Sequence, residues 1–198
     1  MDLTHNPQVL LRAMQAGDQQ ALAALWREWA PKVQLFARMQ LRPCGTEAEA
    51  LAQEVTADVF HAVWLAPDRF DGRVAFGTWL LTLARNKAID CLRKRLRRLD
   101  KEQAVDEATW DGLEDEGPGP QAQLHAQQQR QAVLACLEKL RNPLQREALM
   151  LWALEDMPLQ DIAQVQQCPE NTVKTRLFHG RKNLRTCLEQ QGWHGECE

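Results

Sequence analysis

The sequence predicts an all-α protein of two small helical domains joined by a flexible acidic linker. Apolar residues recur with helical spacing through most of the 198 residues, and no stretch alternates with the two-residue period of a strand. Residues 101–126 interrupt this spacing with an acidic segment that contains Gly and Pro, which is linker composition. The predicted domains are therefore residues 1–100 and 127–190, and residues 191–198 form a tail.

Two helices are predicted in the first part of the first domain. Asp18 can cap the first of them. Its apolar positions have the spacing of one helix face: Leu22, Leu25, Trp29, Val33 and Phe36. Pro31 is expected to kink or break this helix. Thr46 and Glu49 form a capping-box pattern that starts the second helix, and the turn at Pro67 closes it.

A third helix is predicted from about Phe76 to Leu99, with apolar residues inward and basic residues mainly outward. Its second half, residues 85–98, carries seven Lys or Arg residues against one acidic residue. A solvated helix face is the ordinary explanation for such a run. A nucleic-acid contact is the alternative, because clustered Lys and Arg form the electrostatic footprint of such proteins.

The net charge of the whole chain argues, taken alone, against nucleic-acid binding. It is −3, whereas nucleic-acid-binding domains are usually basic. The charge is unevenly distributed, however: it sums to +3 for residues 1–100, −5 for residues 101–137 and −1 for residues 138–198. The acidity therefore belongs to the linker, and the two flanking domains retain basic surfaces.

Residues 158–185 have the pattern of a helix-turn-helix. Pro158 opens a short helix and Pro169 a second one, with a turn at residues 166–168 between them. Residues 174–185, in the second helix, carry five basic residues and no acidic one. Such a helix fits the major groove of DNA, where Lys, Arg and Asn reach base edges. An ordinary helical hairpin with a soluble basic face is the alternative.

Other classes of protein are not indicated. The sequence has no Gly-rich phosphate loop, HExxH or GxSxG motif, and its five His residues are scattered, so we expect no enzyme, cofactor or resident metal. No apolar run approaches the roughly 18 residues of a membrane span, and residues 1–10 lack a signal-peptide pattern. The six Cys residues are widely separated, which favours reduced thiols and a cytoplasmic location.

Two features are left open by the sequence. Cys187, His194 and Cys197 could bind a metal ion or respond to an oxidant, although three such groups fall short of a closed zinc site. Packing of Cys187 within the last helix is the simpler expectation. Trp110 is unusual in an acidic linker, because a solvated tether has little use for an indole ring; it docks on a partner or on a flanking domain.

Several segments, taken in order, resemble the extracytoplasmic-function sigma factors, the smallest members of the sigma-70 class of bacterial RNA polymerase subunits. Three segments resemble region 2 of that family: AGDQQALAALW, EVTADVFHAVW with RFDG after it, and FGTWLLTLARNKAIDCLRKRLRR. The segment PLQDIAQVQQCPENTVKTRLFHGRKNLR resembles region 4. The resemblance implies an alternative sigma factor that binds core RNA polymerase, recognises and melts promoter DNA and starts transcription. It also implies a stress response and an anti-sigma partner.

The resemblance further implies the contacts made by region 2. The clamp helices of the polymerase β′ subunit would be bound by Glu54, Asp58, Val59, Phe60 and Trp64. Asn86 would help to hold a flipped base of the minus-ten element, with the loop 71–75 as the wall of its pocket. The minus-ten DNA would be contacted by Arg85, Asn86, Lys87, Arg93, Lys94, Arg95, Arg97 and Arg98. Phe76 and Trp79 match aromatic positions of the family, but their spacing indicates core packing.

Region 4 would bind the β flap of the polymerase and the minus-thirty-five element. Contacts with this element would be made by Asn171, Thr172, Lys174, Thr175, Arg176, Phe178, His179, Arg181 and Lys182. The acidic linker would thread the RNA-exit path, where its carboxylates stand in for nucleic-acid phosphates. The two domains would bind promoter DNA weakly by themselves, and attachment to the polymerase would supply the missing affinity.

Five positions depart from the family pattern: Ala57, Gln167, Asn171, His179 and Gly180. Ala57 stands where region 2 usually has Gln, and an alternative register puts Gln53 and Glu54 at that site. Gln167 replaces the turn Gly of region 4, and Gly180 replaces an Ala in the second helix, at a cost of about 1 kcal/mol. The rival interpretation is a stand-alone helix-turn-helix regulator that binds an operator as a dimer. It leaves the first domain without a role, and it would bind DNA without polymerase.

Overall fold

The computed structural model describes residues 6–99 and 120–193, and all regular structure in these ranges is helical. The helices are α1 (Pro7–Gln15), α2 (Gln19–Leu41), α3 (Ala48–Leu65), α4 (Phe76–Leu99), α5 (Pro120–Lys139), α6 (Pro143–Glu155), α7 (Leu159–Gln166) and α8 (Glu170–Gln190). Short 3-10 turns lie at Arg42–Glu47 and Pro67–Arg69. The predicted all-α class is confirmed. Most of the predicted linker, including Trp110, lies outside the described residues, as do His194 and Cys197.

The first bundle is formed by α1–α4, with its core where α2, α3 and α4 pack together. The apolar stripe predicted for α2 faces this core, and Leu25, Val33 and Phe36 are fully buried. The facing helices contribute Val59, Val63, Leu80 and Leu81. Burial of this stripe stabilises the bundle, since each fully buried aliphatic or aromatic side chain contributes about 1.5–3 kcal/mol.

The helix boundaries of the first bundle are partly as predicted. Asp18 caps α2, because its Oδ1 accepts a hydrogen bond from the backbone N–H of Gln20 at 2.8 Å. Pro31 lies inside α2 without ending it. The capping-box prediction is wrong: α3 begins without a side-chain cap, and Glu49 Oε1 instead accepts a hydrogen bond from Gln34 Nε2 at 2.6 Å. The Glu49 carboxylate therefore binds a side chain of the neighbouring helix α2 instead of the backbone at the start of α3.

The second bundle is formed by α5–α8. Its core includes side chains from every helix: Cys136, Ala148, Leu151, Ile162 and Val173. Arg146 is buried among them, and its Nη1 donates a hydrogen bond to the carbonyl oxygen of Leu140 at 2.9 Å, near the end of α5. Burial lowers the pKa of this guanidinium below its ordinary value, and nearby Arg42 adds to the effect. Helix α5 begins seven residues before the predicted domain start at 127, because Gln is a good helix former even without apolar spacing.

A disulfide joins Cys136 of α5 to Cys187 of α8. The prediction of reduced thiols is therefore wrong for this pair. The two residues are 51 positions apart in sequence, and only the packing of α5 beside α8 brings them together. The other described cysteines, Cys44, Cys91 and Cys168, are free thiols. Burial raises the pKa of Cys44 and of Cys91, which keeps both protonated and poorly reactive at neutral pH.

Reduction of this disulfide is expected to destabilise the second bundle. Closing a loop of 51 residues removes unfolded-state entropy equivalent to about 4 kcal/mol in the chain-entropy account. Denaturant unfolding with and without dithiothreitol measures the difference. Cys136→Ala should abolish the response to the reductant, and Cys168→Ala should retain it. Equal stability of the oxidised and reduced wild type would show that the bond contributes nothing.

The two bundles contact each other directly. Helix α6 packs against α2 and α4, and α7 packs against α4. Polar side chains meet across this boundary; for example, Thr78 Oγ1 donates a hydrogen bond to Asp161 Oδ2 at 3.1 Å. Within the two described ranges, no helix has both the length and the apolar composition needed to cross a membrane.

Candidate nucleic-acid interface

Helices α7 and α8 form the predicted helix-turn-helix. Pro158 and Pro169 are the N-cap residues of the two helices, as their positions in the sequence predicted. Gln167 ends α7 in the left-handed conformation, with φ of 50°. This turn usually contains Gly, because other residues pay about 1–2 kcal/mol for that conformation. The replacement of Gly by Gln is therefore accommodated without a change of turn.

One face of α8 is fixed in the core and the opposite face is exposed. Val173, Leu177 and Gly180 are buried. Seven of the nine predicted minus-thirty-five residues are exposed, namely Asn171, Lys174, Thr175, Phe178, His179, Arg181 and Lys182. The other two, Thr172 and Arg176, are half-buried. Phe178 has 66% of its surface exposed, which is unusual for a large apolar side chain.

Cationic side chains on α8 already have partners within the protein. Lys174 Nζ lies 3.0 Å from Glu170 Oε1, one helical turn earlier. Arg181 places its guanidinium over the ring of Trp152 on α6, 4.2 Å from the ring centroid. Stacking of this kind restricts the rotamers of a long side chain and leaves its N–H groups available to an acceptor.

A polar groove of about 430 Å³ lies between the start of α6 and the first half of α8. Its lining residues are Asn142, Gln145, Asn171, Thr172, Thr175, Arg176 and His179. Arg176 is held on the inner side of the helix, where its Nη1 donates hydrogen bonds to Gln166 Oε1 at 2.8 Å and to Cys168 Sγ at 3.2 Å. The groove thus brings five of the predicted minus-thirty-five residues together with two residues of α6 that the sequence did not indicate.

Gly180 allows α8 to approach α6 closely. A Cβ atom at this position would lie 2.9 Å from Leu149 Cδ1 and 3.4 Å from the carbonyl oxygen of Gln145. Gly is the least favourable residue for a helix interior apart from Pro. The close packing of the two helices explains why it is nevertheless found here.

Gly180→Val should lower the free energy of unfolding by about 2 kcal/mol, because the larger side chain overpacks the contact with Leu149. Lys182→Val is the control at an exposed site of the same helix and should cost less than about 0.5 kcal/mol. Denaturant unfolding compares the two variants. Similar free energies of unfolding for the two variants would mean that a larger side chain fits at position 180 of α8.

The predicted minus-ten residues do not all lie on one surface of α4. Asn86, Arg93, Lys94 and Arg97 are exposed. Asn86, Arg93 and Arg97 are spaced by seven and then four residues, which places them on one stripe of the helix. The side chain of Arg98 is outside the described part of the structure.

The remaining three predicted minus-ten residues are held by carboxylates. Arg85 Nε donates a hydrogen bond to Glu147 Oε1 of the second bundle at 2.6 Å. Lys87 Nζ lies 3.9 Å from Asp58 Oδ2, and Arg95 Nη2 lies 2.5 Å from Glu47 Oε1. The structure therefore divides these residues into an exposed stripe, on which Arg93 Nη1 lies 3.4 Å from Asp90 Oδ1, and a less exposed group held by carboxylates from outside α4.

The loop 71–75 leads into α4 beside an aromatic cluster. Phe70, Phe76 and Trp79 pack against one another with ring centroids 5.4–5.7 Å apart. Phe76 is buried, as its spacing predicted, and Trp79 is half-buried. Gly72 has φ of 74°, and a Cβ atom there would lie 3.1 Å from Gln8 Nε2 of α1.

The predicted polymerase-binding residues on α3 are also divided. Glu54 and Asp58 are exposed and Trp64 is half-buried. Val59 and Phe60 have only 0% and 2% of their surface exposed, because they face the core of the bundle. An apolar groove of about 450 Å³ runs beside them between α2 and α3. Its lining residues are Gln19, Leu22, Trp26, Ala57, Phe60, His61 and Trp64.

Trp26 is a candidate site residue that the sequence analysis missed. It has 42% of its surface exposed and packs on Phe60 with ring centroids 4.7 Å apart. The signal was present in the sequence, because Trp26 directly follows Leu25 of the inward stripe and so faces away from the centre of that stripe. Among residues 6–99 and 120–193, no cluster of three His, Cys, Asp or Glu side chains could hold a metal ion.

Comparison with known proteins agrees with this division into two bundles. The family model described as Sigma-70 region 2 matches residues 25–98, and Sigma-70, region 4 matches residues 130–184. The chain is 30% identical over 182 residues to the ECF RNA polymerase sigma-E factor of Escherichia coli K12, covering 89% of this chain and 91% of that protein. It is 28% identical over 187 residues to the ECF RNA polymerase sigma factor SigK of Mycobacterium sp. (strain JLS), covering 94% and 92%.

Two solved structures share the fold. The sigma factor RpoE of Bartonella quintana, solved with the anti-sigma factor NepR, has a TM-score of 0.64 at 22% identity and covers 83% of this chain and 94% of that chain. CnrH, solved with the cytosolic domain of CnrY, has a TM-score of 0.57 at 22% identity and covers 93% and 97%. With both regions matched in order, the chain belongs to the extracytoplasmic-function group of the sigma-70 family and is an alternative sigma factor that directs transcription initiation.

Proposed function

We propose that α8 reads the minus-thirty-five element in the major groove while the exposed stripe of α4 holds the unpaired minus-ten strand. The observation that carries this proposal is the exposed face of α8 opposite Val173, Leu177 and Gly180. Residues 174–185 have no acidic side chain that would repel DNA. One α-helix fits the major groove, and its rigid attachment to α6 fixes the angle of entry.

The residues on α8 divide by chemistry into base-reading and phosphate-binding groups. Asn171, Thr175 and His179 carry short polar groups that hydrogen-bond to base edges, and Phe178 suits the methyl group of thymine. Lys174 and Lys182 bind phosphates, as do Arg176 and Arg181 from the two flanks of the helix. Arg181 is already oriented by Trp152, which reduces the entropy lost when it binds.

In region 2, Asn86 lies on the same stripe of α4 as Arg93 and Arg97. We assign the amide of Asn86 to a flipped base and the two guanidinium groups to the backbone phosphates beside it. Holding the flipped base in a polar pocket makes strand opening depend on sequence, because only a matching base regains hydrogen bonds after it has lost its stacking. The loop 71–75 supplies the wall of the pocket.

The polymerase contact is assigned to Glu54 and Asp58, which are exposed on α3, and to Trp64 of the same helix, which lines the apolar groove between α2 and α3. Val59 and Phe60 support this surface from below, since both are buried. The apolar groove and the exposed carboxylates of α3 fit a partner helix with apolar and basic residues, which suits the clamp helices of β′. The groove lies beside Ala57 rather than Gln53, which favours the register in which Ala57 takes the usual Gln position.

We also propose a role for each domain and for the linker. We assign residues 1–100 to core and minus-ten binding, 127–190 to minus-thirty-five binding and the intervening acidic segment to the RNA-exit path. The chemistry of RNA synthesis belongs to the polymerase, and we assign none to this chain. One protein of the same fold was solved with an anti-sigma factor, and another with the cytosolic domain of CnrY. We propose such a partner here too, and a cytoplasmic place of action.

Promoter mutagenesis tests the assignment of α8. His179→Ala should relax the preference at one or two base pairs of the minus-thirty-five element, each by about 1–3 kcal/mol. Lys182→Ala should weaken binding to all sequences about equally. Transcription by core polymerase with each variant, on a promoter library, measures both effects. Unchanged base preferences for His179→Ala would contradict the assignment, and a sequence-specific DNA shift without polymerase would support the rival regulator.

A further inference from the structure

Helix α6 crosses behind α8, on the side away from the exposed face. At the crossing, a Cβ atom on Gly180 would lie 2.9 Å from Leu149 Cδ1 and 3.4 Å from the carbonyl oxygen of Gln145. Gly180 therefore marks the line of α8 that faces α6. Successive residues of an α-helix are about 100° apart around its axis, so His179 and Arg181 lie on opposite flanks of α8.

The first half of α6 reaches the flank of α8 that carries His179. Gln145 and His179 line the same polar groove. Gln145 Oε1 accepts a hydrogen bond from Asn183 Nδ2 at 3.3 Å, and Asn183 lies one turn beyond His179 on that flank. This bond fixes the orientation of the Gln145 amide through its oxygen. Its Nε2 group still has hydrogens to donate to an acceptor outside the protein.

The second half of α6 reaches the opposite flank of α8. Trp152 has 40% of its surface exposed, and the Arg181 guanidinium lies over its ring at 4.2 Å from the centroid. The N–H groups at the edge of a stacked guanidinium can still bind an anion, because stacking uses only its flat face. Trp152 therefore holds Arg181 in place without competing for its hydrogen-bond donors.

The distance between these two positions on α6 matches the dimensions of DNA. Gln145 and Trp152 are seven residues apart, about 10 Å along the helix axis. The major groove of B-DNA is about 12 Å wide and has one phosphate backbone on each side. A helix in that groove thus has one strand along each flank. The acidic residue within residues 141–154 is Glu147, which is buried and so does not repel phosphate from this surface.

We propose that α6 grips both strands of the minus-thirty-five DNA, one on each flank of α8. Gln145 donates a hydrogen bond to a backbone phosphate on the His179 flank. Trp152 is a positioning residue that holds Arg181 toward a phosphate of the other strand. This inference rests on the proposed function, which places α8 in the major groove. It adds two residues from outside the helix-turn-helix, and they fix the register at which α8 meets the bases.

Closed complexes of core polymerase and the full-length protein on promoter DNA test the proposal. Gln145→Ala should weaken promoter binding about tenfold, and about equally for every minus-thirty-five sequence. Trp152→Ala should weaken it about threefold, and Trp152→Phe should keep most of the affinity because a ring still supports Arg181. In an Arg181→Ala background, Trp152→Ala should have no further effect. Gln131→Ala, which removes an exposed amide from α5, should bind as the wild type does.

Methylphosphonates, which replace single phosphates by uncharged groups, identify the strand that each residue contacts. We expect one such substitution to remove the effect of Gln145→Ala, and another on the opposite strand to remove the effect of Trp152→Ala. The wild-type protein should lose affinity for both of these DNAs. This part of the test therefore does not depend on the folding of any variant.

Three results would overturn the proposal. Gln145→Ala could bind promoter DNA as tightly as the wild type does. Trp152→Ala could weaken binding further in the Arg181→Ala background, or the two sensitive phosphates could lie on the same strand. The proposed function is judged separately by the base preference of His179→Ala. If that preference changes while one of these three results is found, α8 reads the DNA without contacts from α6.

Discussion

Asn86→Ala is expected to slow the formation of the open promoter complex by about 10–100-fold, the equivalent of about 1–3 kcal/mol for a base-specific hydrogen-bonding pair. Asn86 is exposed on α4, on the same stripe as Arg93 and Arg97. In the proposed assignment, its amide stabilises only the flipped base, which exists once the strands have separated. The affinity for core polymerase and for the closed promoter should therefore stay within about twofold.

Permanganate reactivity of unpaired thymines, followed over time with core polymerase present, measures opening directly. A promoter with a preformed bubble should restore the variant to nearly the wild-type rate, because the strands no longer need to be separated. Gln128→Ala, which removes an exposed amide from α5 instead, should not slow opening. If Asn86→Ala slows open-complex formation equally on duplex and bubble templates, Asn86 does not act in the melting step.

Trp64→Ala should weaken binding to core polymerase by about 30-fold or more. Trp64 lines the apolar groove beside Trp26 and Phe60, and buried Trp residues at interfaces commonly contribute about 2 kcal/mol or more. Trp is also among the residues with the largest area to bury against a partner. The expected loss lies mainly in a faster dissociation rate.

Titration of labelled core polymerase with the variant measures this effect. Leu65→Ala is the matched control, because Leu65 is adjacent in sequence, 68% exposed and directed to a different side of α3. It should retain affinity within about threefold. Gln53→Ala tests the alternative register: a loss as large as that of Trp64→Ala would move the interface one helical turn toward the start of α3. If Trp64→Ala binds core polymerase as tightly as the wild type does, the groove is not part of the polymerase contact.

Much of the fold could be predicted because its signals are local. Helix α4 has the predicted bounds, since apolar periodicity begins at Phe76 and the basic run of residues 85–98 continues almost to the end of the helix at Leu99. The two prolines that begin α7 and α8 fix their own backbone angles. The start of α3 was predicted less well. The carboxylate of Glu49 is attracted by Gln34, which is 15 residues away in sequence and leaves no local pattern.

The candidate site was predictable in composition but less so in arrangement. Asn86 and Lys182 are exposed, as a role in DNA binding requires, whereas Val59 and Phe60 are buried. The pairing of Arg85 with Glu147 joins residues 62 positions apart, and the disulfide of Cys136 with Cys187 joins residues 51 apart. Periodicity describes which face of a helix is apolar, and it carries no information on which distant helix will pack there.

The most direct measurement of the central claim is transcription by core RNA polymerase with and without this protein, on a promoter from the same genome. The account predicts transcripts from one defined start site only when both components are present, with opening that depends on Asn86. It also predicts no sequence-specific binding of that promoter by the protein alone. Core polymerase that gains no promoter specificity from this protein would contradict the account.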